Sequence, residues 1–339
     1  MTRKERVIKA LRHEQTDIIP YFTEFTQQAK ENMIQYFGNE NFESNWGLHL
    51  HYIQYWGWPT ELPDQPEHFR DDFGAVWNRS GADKDIGAIE NPIIQDLEDY
   101  TYEFPNVDEQ RLRKEFEELI ETKEDKFTMA GFGFSMFERS WSLMGMENVL
   151  ISMIANPDEL EVLYDRICDY NLKLIDIALE YDIDGVYFGD DWGQQKGLIM
   201  GPNHWRKFIK PRMKRMYERV KSKGKFVMQH SCGDIQDIIG DLIEIGLDCY
   251  QTVQPEIYNL ELLKERYGSS LTFWGAISTQ KLLPYATTEE VKKETTRIMK
   301  IMGQGGGYIA APTHAVAFDV PAENIDAMME VFLNQKKFM

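Results

Sequence analysis

The sequence predicts the α/β class, in the form of a (β/α)8 TIM-type barrel with an N-terminal helical, aromatic-rich elaboration. Three observations point there. From about residue 124 onward, short β-branched or aromatic runs alternate with long amphipathic segments, the rhythm of parallel βα units. Residues able to bind a metal or move a proton follow directly on those short runs, where the C-terminal strand ends of a barrel form one mouth. The length of 339 residues fits one barrel of roughly 250 residues plus an addition.

In chain order the predicted strands are 127–131, 185–188, 225–229, 248–253, 271–274 and 307–310, and the predicted helices lie near 158–181, 204–221, 235–245, 260–267, 289–302 and 322–332. Helix starts are signalled by Thr287 with Glu290, the spacing of a capping box, and by Pro157 and Pro321, placed where a first turn tolerates a missing N–H. Gly303 and Gly305-Gly306-Gly307 end one helix before the last strand. The first strands are expected in the less regular N-terminal third. That third holds Trp46, Trp56, Trp58 and Trp77 with Tyr52, Tyr55, His49 and His51. These rings either pack an extra layer on the barrel or wall the pocket and stack on a flat ligand, which makes Trp56 and Trp58 candidate substrate-binding residues. With no repeat or flexible linker, we expect a single domain over 1–339, with the elaboration and first barrel elements in 1–123 and the regular βα units in 124–339.

Composition narrows the function. A net charge of −19 opposes a nucleic-acid surface, which needs a concentrated basic footprint. No apolar stretch reaches the roughly 18 residues of a membrane span, and with a polar N-terminus the chain is expected in the cytoplasm. Cys168, Cys232 and Cys249 make no disulfide framework, and only Cys232 stands at a strand end.

The chemistry converges on three strand ends. His230-Ser231-Cys232-Gly233 follows the run Phe226-Val227-Met228-Gln229, so an imidazole and a thiol two residues apart on an extended segment can reach one zinc ion. His314, after Tyr308-Ile309-Ala310-Ala311, supplies a third ligand. Without a metal, His230 is a hydrogen-bonded residue and Cys232 a packed one. Gln251 or Gln254 stands as a weak further ligand, a supporting group or a polar mouth residue. Asp190-Asp191 ends a third strand; two convergent carboxylates repel, so one can hold a proton as a general acid while the other caps a loop or pairs with a base. Trp192, Gln194 and Gln195 extend that lip, and Tyr187 within the strand belongs to core or pocket.

Phe188-Gly189-Asp190-Asp191-Trp192-Gly193-Gln194-Gln195, the His230 to Gly233 motif, Phe273-Trp274-Gly275-Ala276-Ile277-Ser278-Thr279-Gln280, Gly306-Gly307-Tyr308, Pro312-Thr313-His314 and Pro321-Ala322-Glu323-Asn324 resemble the uroporphyrinogen decarboxylase superfamily over nearly the whole chain. The resemblance implies a (β/α)8 barrel and one of two activities, porphyrinogen decarboxylation or zinc-dependent methyl transfer with corrinoid proteins. The decarboxylases carry an arginine-rich N-terminal segment; here Ile19-Pro20-Tyr21-Phe22-Thr23-Glu24-Phe25 has no arginine. The methyltransferases carry His-x-Cys and a later cysteine; here His230 and Cys232 match, and His314 stands in the later place, a change that suits Lewis-acid chemistry. The expectation is therefore a methyltransferase that takes a methyl group from a small methylated compound, a methoxylated aromatic, and passes it to the Co(I) of a separate corrinoid protein. Zinc would be held by His230, Cys232 and His314, Asp190 or Asp191 would be catalytic, and Trp56, Trp58, Tyr187, Trp192, Gln194 and Gln254 would line the substrate site. The alternatives are a metal-independent decarboxylase and a non-catalytic corrinoid- or metabolite-binding accessory protein.

Overall fold

The computed structural model describes residues 1–80, 87–98 and 101–338; residues 81–86 and 99–100 of the expected N-terminal elaboration, and Met339, lie outside the described residues. Seven strands form the main sheet: β1 (Leu50–Tyr55), β2 (Phe127–Phe132), β3 (Gly185–Gly189), β4 (Phe226–His230), β5 (Cys249–Val253), β6 (Thr272–Ile277) and β7 (Tyr308–Pro312). They stand side by side in chain order, and each neighbouring pair is parallel. The strands β2, β3, β5, β6 and β7 are buried at every position, as strands covered on both faces must be. All six strands predicted after residue 124 are present.

The eighth place in the ring is taken by a short stretch around Pro20 to Phe25. On one side Phe22 N donates to Ala310 O (2.9 Å) and Ala310 N to Pro20 O (2.8 Å); on the other His49 N donates to Tyr21 O (3.1 Å). Proline offers no N–H, so this seam between β7 and β1 is joined by isolated bridges rather than a full ladder.

Side-chain alternation sorts the two faces. Leu50, Phe127, Met129, Tyr187, Met228, Cys249, Trp274, Ile309 and Ala311 fill the barrel interior, and Val7 and Leu11 of helix Arg3–Leu11 join them. The opposite face, with Phe132, Val186, Phe188, Val227, Tyr250, Phe273 and Tyr308, packs under outer helices such as Pro157–Ala178, Lys210–Lys221, Thr288–Met302 and Ala322–Leu333. The Thr287–Glu290 capping box forms as predicted. Pro321 is the N-cap rather than a first-turn residue. The single helix predicted over 204–221 is interrupted by a π turn at Trp205–Ile209, because Pro211 supplies no N–H to the turn before it.

The elaboration is not purely helical. Beside helices Gln27–Phe37 and Glu109–Thr122 its described residues form four short antiparallel strands, Thr60–Glu61, His68–Arg70, Val76–Asn78 and Ala88–Ile89. Pro59, Pro63 and Pro66 bar a helix there, and Phe69 stacks on Trp77 across adjacent strands (5.9 Å between centroids). A buried ion pair, Arg139 to Asp71 at 3.2 Å, fastens this sheet to helix Phe137–Met144. Asp71 is further satisfied by the Ala75 and Trp77 N–H groups, and Arg139 lies 3.7 Å over the Phe73 ring. Such a pair survives burial only because its remaining hydrogen-bonding positions are filled. No helix among the described residues is long and apolar enough to cross a membrane.

Candidate metal centre at the barrel mouth

His230 is the last residue of β4, and the chain stays extended through Ser231 to Cys232. Two-residue spacing puts both side chains on one side, with Cys232 Sγ 3.5 Å from His230 Nε2. The turn that follows requires glycine: Gly233 has φ of +80°, and a Cβ there would lie 2.2 Å from the Gly193 carbonyl carbon. The loops after β3 and β4 therefore meet backbone to backbone, through Gly193 N to Cys232 O (3.2 Å) and Asp234 N to Gln194 O (2.8 Å). That contact brings Asp191 to the motif. Its Oδ1 accepts from Cys232 N at 2.7 Å and lies 3.2 Å from His230 Nε2. Just beyond β7, His314 completes the group: one ligand atom each from His230, Cys232 and His314 all lie within 4.8 Å of one another.

The histidine is held in a tautomer suited to a metal. Its Nδ1 pairs with Gln251 Oε1, which also accepts from Tyr187 OH at 3.0 Å. A carboxamide oxygen only accepts, so Nδ1 carries a proton and Nε2 is left facing Cys232 and Asp191, a donor to Asp191 while the ring is charged and a lone pair once a bound cation displaces that proton. Burial disfavours a charged His230, but Cys232, Tyr187 and Asp191 outweigh it and raise its pKa well above the ordinary histidine value. Burial pushes the Cys232 thiol up, partly offset by His230. His314, exposed in the mouth, has its pKa lowered by lost hydration and by the neighbouring His230. These imidazoles and the thiol compete for protons that a bound cation would displace, and nitrogen and sulfur donors at this spacing fit a zinc ion.

The two adjacent aspartates are divided by their surroundings. Asp190 is fully buried, and its carboxylate accepts from Met136 N (3.2 Å), Phe137 N (2.9 Å), Glu138 N (2.8 Å) and Trp192 Nε1 (2.5 Å). It thus caps the N-terminus of helix Phe137–Met144. Burial pushes it up to about 6 against those four donors. Asp191 is only partly buried. Burial alone would raise its pKa, but His230 and the Cys232 N–H hold it down at about 2. A third carboxyl, Glu138, stands close enough to both aspartates that burial and then their charges push its pKa well above the ordinary range.

The aromatic surface at the barrel's centre differs from the one expected. Trp58 does not line it: the indole is buried against Tyr55, donates to Glu115 Oε1 at 2.8 Å and lies under the Arg111 guanidinium. Trp192 does not form a lip either, being fully buried, bonded to Asp190 and edge-on to Trp205. Trp56 lies just beyond β1, where its ring packs with Phe69, Trp77 and Phe134. Gln194 is exposed on the hairpin Gly193–Leu198, and Gln254 is buried with its Oε1 on Gly233 N at 2.7 Å. Tyr187 is buried in the barrel interior and reaches His230 through Gln251. With Phe22, Tyr52 and Trp274 it forms a continuous set of rings at centroid distances from 5.1 to 6.4 Å.

Sequence reasoning gave no site role to Phe22, Glu24, Glu138 or Trp274, and weighed Tyr52 only among the N-terminal rings that pack a layer or wall a pocket. Inward alternation along β1 and β6 is a signal for Tyr52 and Trp274. Glu24 and Glu138 carry no signal, since each reaches the mouth through a loop or helix end whose position depends on the closed barrel.

Comparison with known proteins agrees with this architecture. A methyltransferase from Methanosarcina mazei superposes with a TM-score of 0.75 at 19% identity, covering 99% of this chain and 99% of that one, a likeness that establishes the fold. A uroporphyrinogen decarboxylase from Psychromonas ingrahamii is 24% identical over 188 residues, 52% of this chain and 49% of that one, so the chain spans about half the length of this curated relative. The family model for uroporphyrinogen decarboxylase (URO-D) matches residues 81–334, the greater part of the sequence, and the chain therefore belongs to the uroporphyrinogen decarboxylase family.

Proposed function

We propose that the chain is a zinc-dependent methyltransferase of the methyltransferase I type, moving a methyl group from a methoxylated aromatic to the Co(I) centre of a separate corrinoid protein. The observation that carries this reading is the convergence of His230, Cys232 and His314 on one point of the barrel mouth. Zinc bound there would act as a Lewis acid toward the ether oxygen and favour departure of the phenolate. The protein's own contribution begins with Gln251, which fixes the His230 ring through Nδ1. Phe22, Tyr52, Tyr187 and Trp274, tilted or edge-on to one another, supply an apolar aromatic floor for the aromatic ring. The methyl carbon leaves oxygen for cobalt, whose electron pair forms the new bond, and the oxygen keeps the old pair. Glu138, holding its proton beside the two aspartates, delivers that proton to the departing oxygen. Asp191, kept ionised, orients His230 and the Cys232 loop, while Asp190 holds the helix that carries Glu138.

The family model and the curated relative favour a second reading, decarboxylation without a metal. The arginine-free stretch from Ile19 to Phe25 and the carboxylates around the mouth weigh against a polycarboxylated substrate. Elemental analysis separates the two. About one zinc per chain in wild type, lost in Cys232→Ala and His314→Ala, supports the methyltransferase, to be followed by methyl transfer from methoxylated aromatics to a reduced corrinoid protein. No zinc after reconstitution sinks the metal mechanism and leaves decarboxylation.

A further inference from the structure

Glu24 lies on the strand-like stretch that closes the barrel, placed by Val316 N donating to Glu24 O at 2.8 Å and by the bridge between Phe25 and Val316. This register sets it opposite the segment that carries His314, and its charge is among those acting on that imidazole. The carboxylate is held by the Tyr52 hydroxyl, which donates to Glu24 Oε2. Tyr52 is itself one of the four rings below the candidate metal centre, 5.5 Å from Tyr187 and 6.4 Å from Trp274. Within that floor the Trp274 indole N–H meets no acceptor among the described residues although the residue is only 1% exposed. A buried donor left unpaired is costly, and an oxygen on a ring lying in the mouth would satisfy it.

Among the described residues, the charged groups that act most strongly on His230, Cys232, His314, Asp191 and Glu138 are carboxylates, the thiol, a phenol and the two imidazoles, with no lysine or arginine. Arg139, on the same helix as Glu138, is already committed to Asp71 and to the Trp56 carbonyl. A bound zinc would bring two positive charges, which the Cys232 thiolate and Asp191 would offset, so a carboxylate brought onto this floor would face the Glu24 charge with no lysine or arginine to compensate it, in surroundings where like charges repel more strongly than in water.

We propose that Glu24, anchored by Tyr52 above the aromatic floor, is a specificity-determining residue that makes the site accept uncharged or cationic methoxyaromatic rings and reject carboxylated ones. The inference rests on the methyl-ether reading above and adds to it the charge class of the donor. Negative selection of this kind acts through an unpaired like charge rather than a new contact.

The test is a tryptophan-fluorescence titration of the zinc-reconstituted protein with guaiacol, the same ring bearing a para carboxylate, and the same ring bearing a para aminomethyl group. Guaiacol and the aminomethyl ring should bind at least about tenfold more tightly than the carboxylate, a discrimination of the size that one unpaired charge near another imposes. Glu24→Gln should close most of that gap, Glu24→Asp should keep it, and in turnover assays Glu24→Gln should lower KM for the carboxylated ring more than for guaiacol. Tyr52→Phe, which frees the carboxylate without removing it, gives a second reading should Glu24→Gln fold poorly, and it should narrow the gap partially. Equal binding of all three rings in wild type, or a gap that Glu24→Gln leaves intact, overturns the inference. If guaiacol and its carboxylate are demethylated equally well, the methyl-ether reading stands and only the selectivity falls; if no ring binds, both fall together.

Discussion

At the scale of single residues, neighbours in sequence have different surroundings and therefore different tasks. Asp190 and Asp191 share a peptide bond, yet one spends its oxygens on three helix N–H groups and an indole while the other faces His230 and the Cys232 amide. Asp190→Ala is expected to cost about 3 kcal/mol, since it strips a buried helix end of its cap, and to lower the melting temperature by several degrees. Asp191→Asn should leave melting nearly unchanged and reduce turnover; thermal melts beside assays check the contrast. Gln251 acts only through His230. Gln251→Leu should weaken zinc affinity by about 10- to 100-fold with an unchanged circular dichroism spectrum, measured by competition with a chelator. At this scale His230 and Cys232 were legible, because their spacing is itself the geometry of an extended chain. Which aspartate faces the mouth was not, because it depends on where helix Phe137–Met144 begins.

At the scale of elements, the least regular part of the sheet is the seam where the stretch from Pro20 to Phe25 meets β7 and the start of β1. His49 is its clasp: its N–H donates to Tyr21 O, its Nδ1 accepts from Tyr21 N at 3.4 Å, and its Nε2 is buried with no partner among the described residues. Burial, with Arg6 nearby, lowers its pKa from 6.5 to about 4. Between those values the unfolded chain binds a proton that the folded chain does not. Stability from this residue is therefore complete above about pH 6.5 and lost as the pH falls toward 4, by about 3 kcal/mol in all. Melting temperatures of wild type should drop across that window, and His49→Asn should flatten the dependence. The strands after residue 124 could be read from the chain, since each is a short apolar run between turn signals. The seam could not, because a stretch with Pro20, Thr23 and Glu24 has no strand pattern of its own and is extended only because two strands flank it.

At the scale of the whole molecule, a metal held between the ends of two strands, β4 and β7, would tie distant parts of the ring together. If zinc binds only the folded chain, chelation should lower the melting temperature of wild type, by an amount that grows with zinc concentration in the untreated sample, and leave Cys232→Ala unmoved. Equal shifts in both would place the stabilising ion elsewhere. The net charge of −19 is not spread indifferently, for Glu24, Glu138 and Asp191 gather around one mouth.

By itself the sequence determined the barrel class, the order of its later strands and the His-x-Cys pair, because these depend on periodicities of two and of three to four residues that are local to the chain. Only the tertiary structure decided how the ring closes, which of two adjacent aspartates reaches the mouth, and which rings form its floor. Trp56 and Trp58 were the conspicuous aromatics, yet the floor is built from Phe22, Tyr52, Tyr187 and Trp274, drawn from four separate stretches. Their meeting is a consequence of closure, and closure involves contacts between residues as far apart as Phe22 and Ala310 that no local pattern encodes.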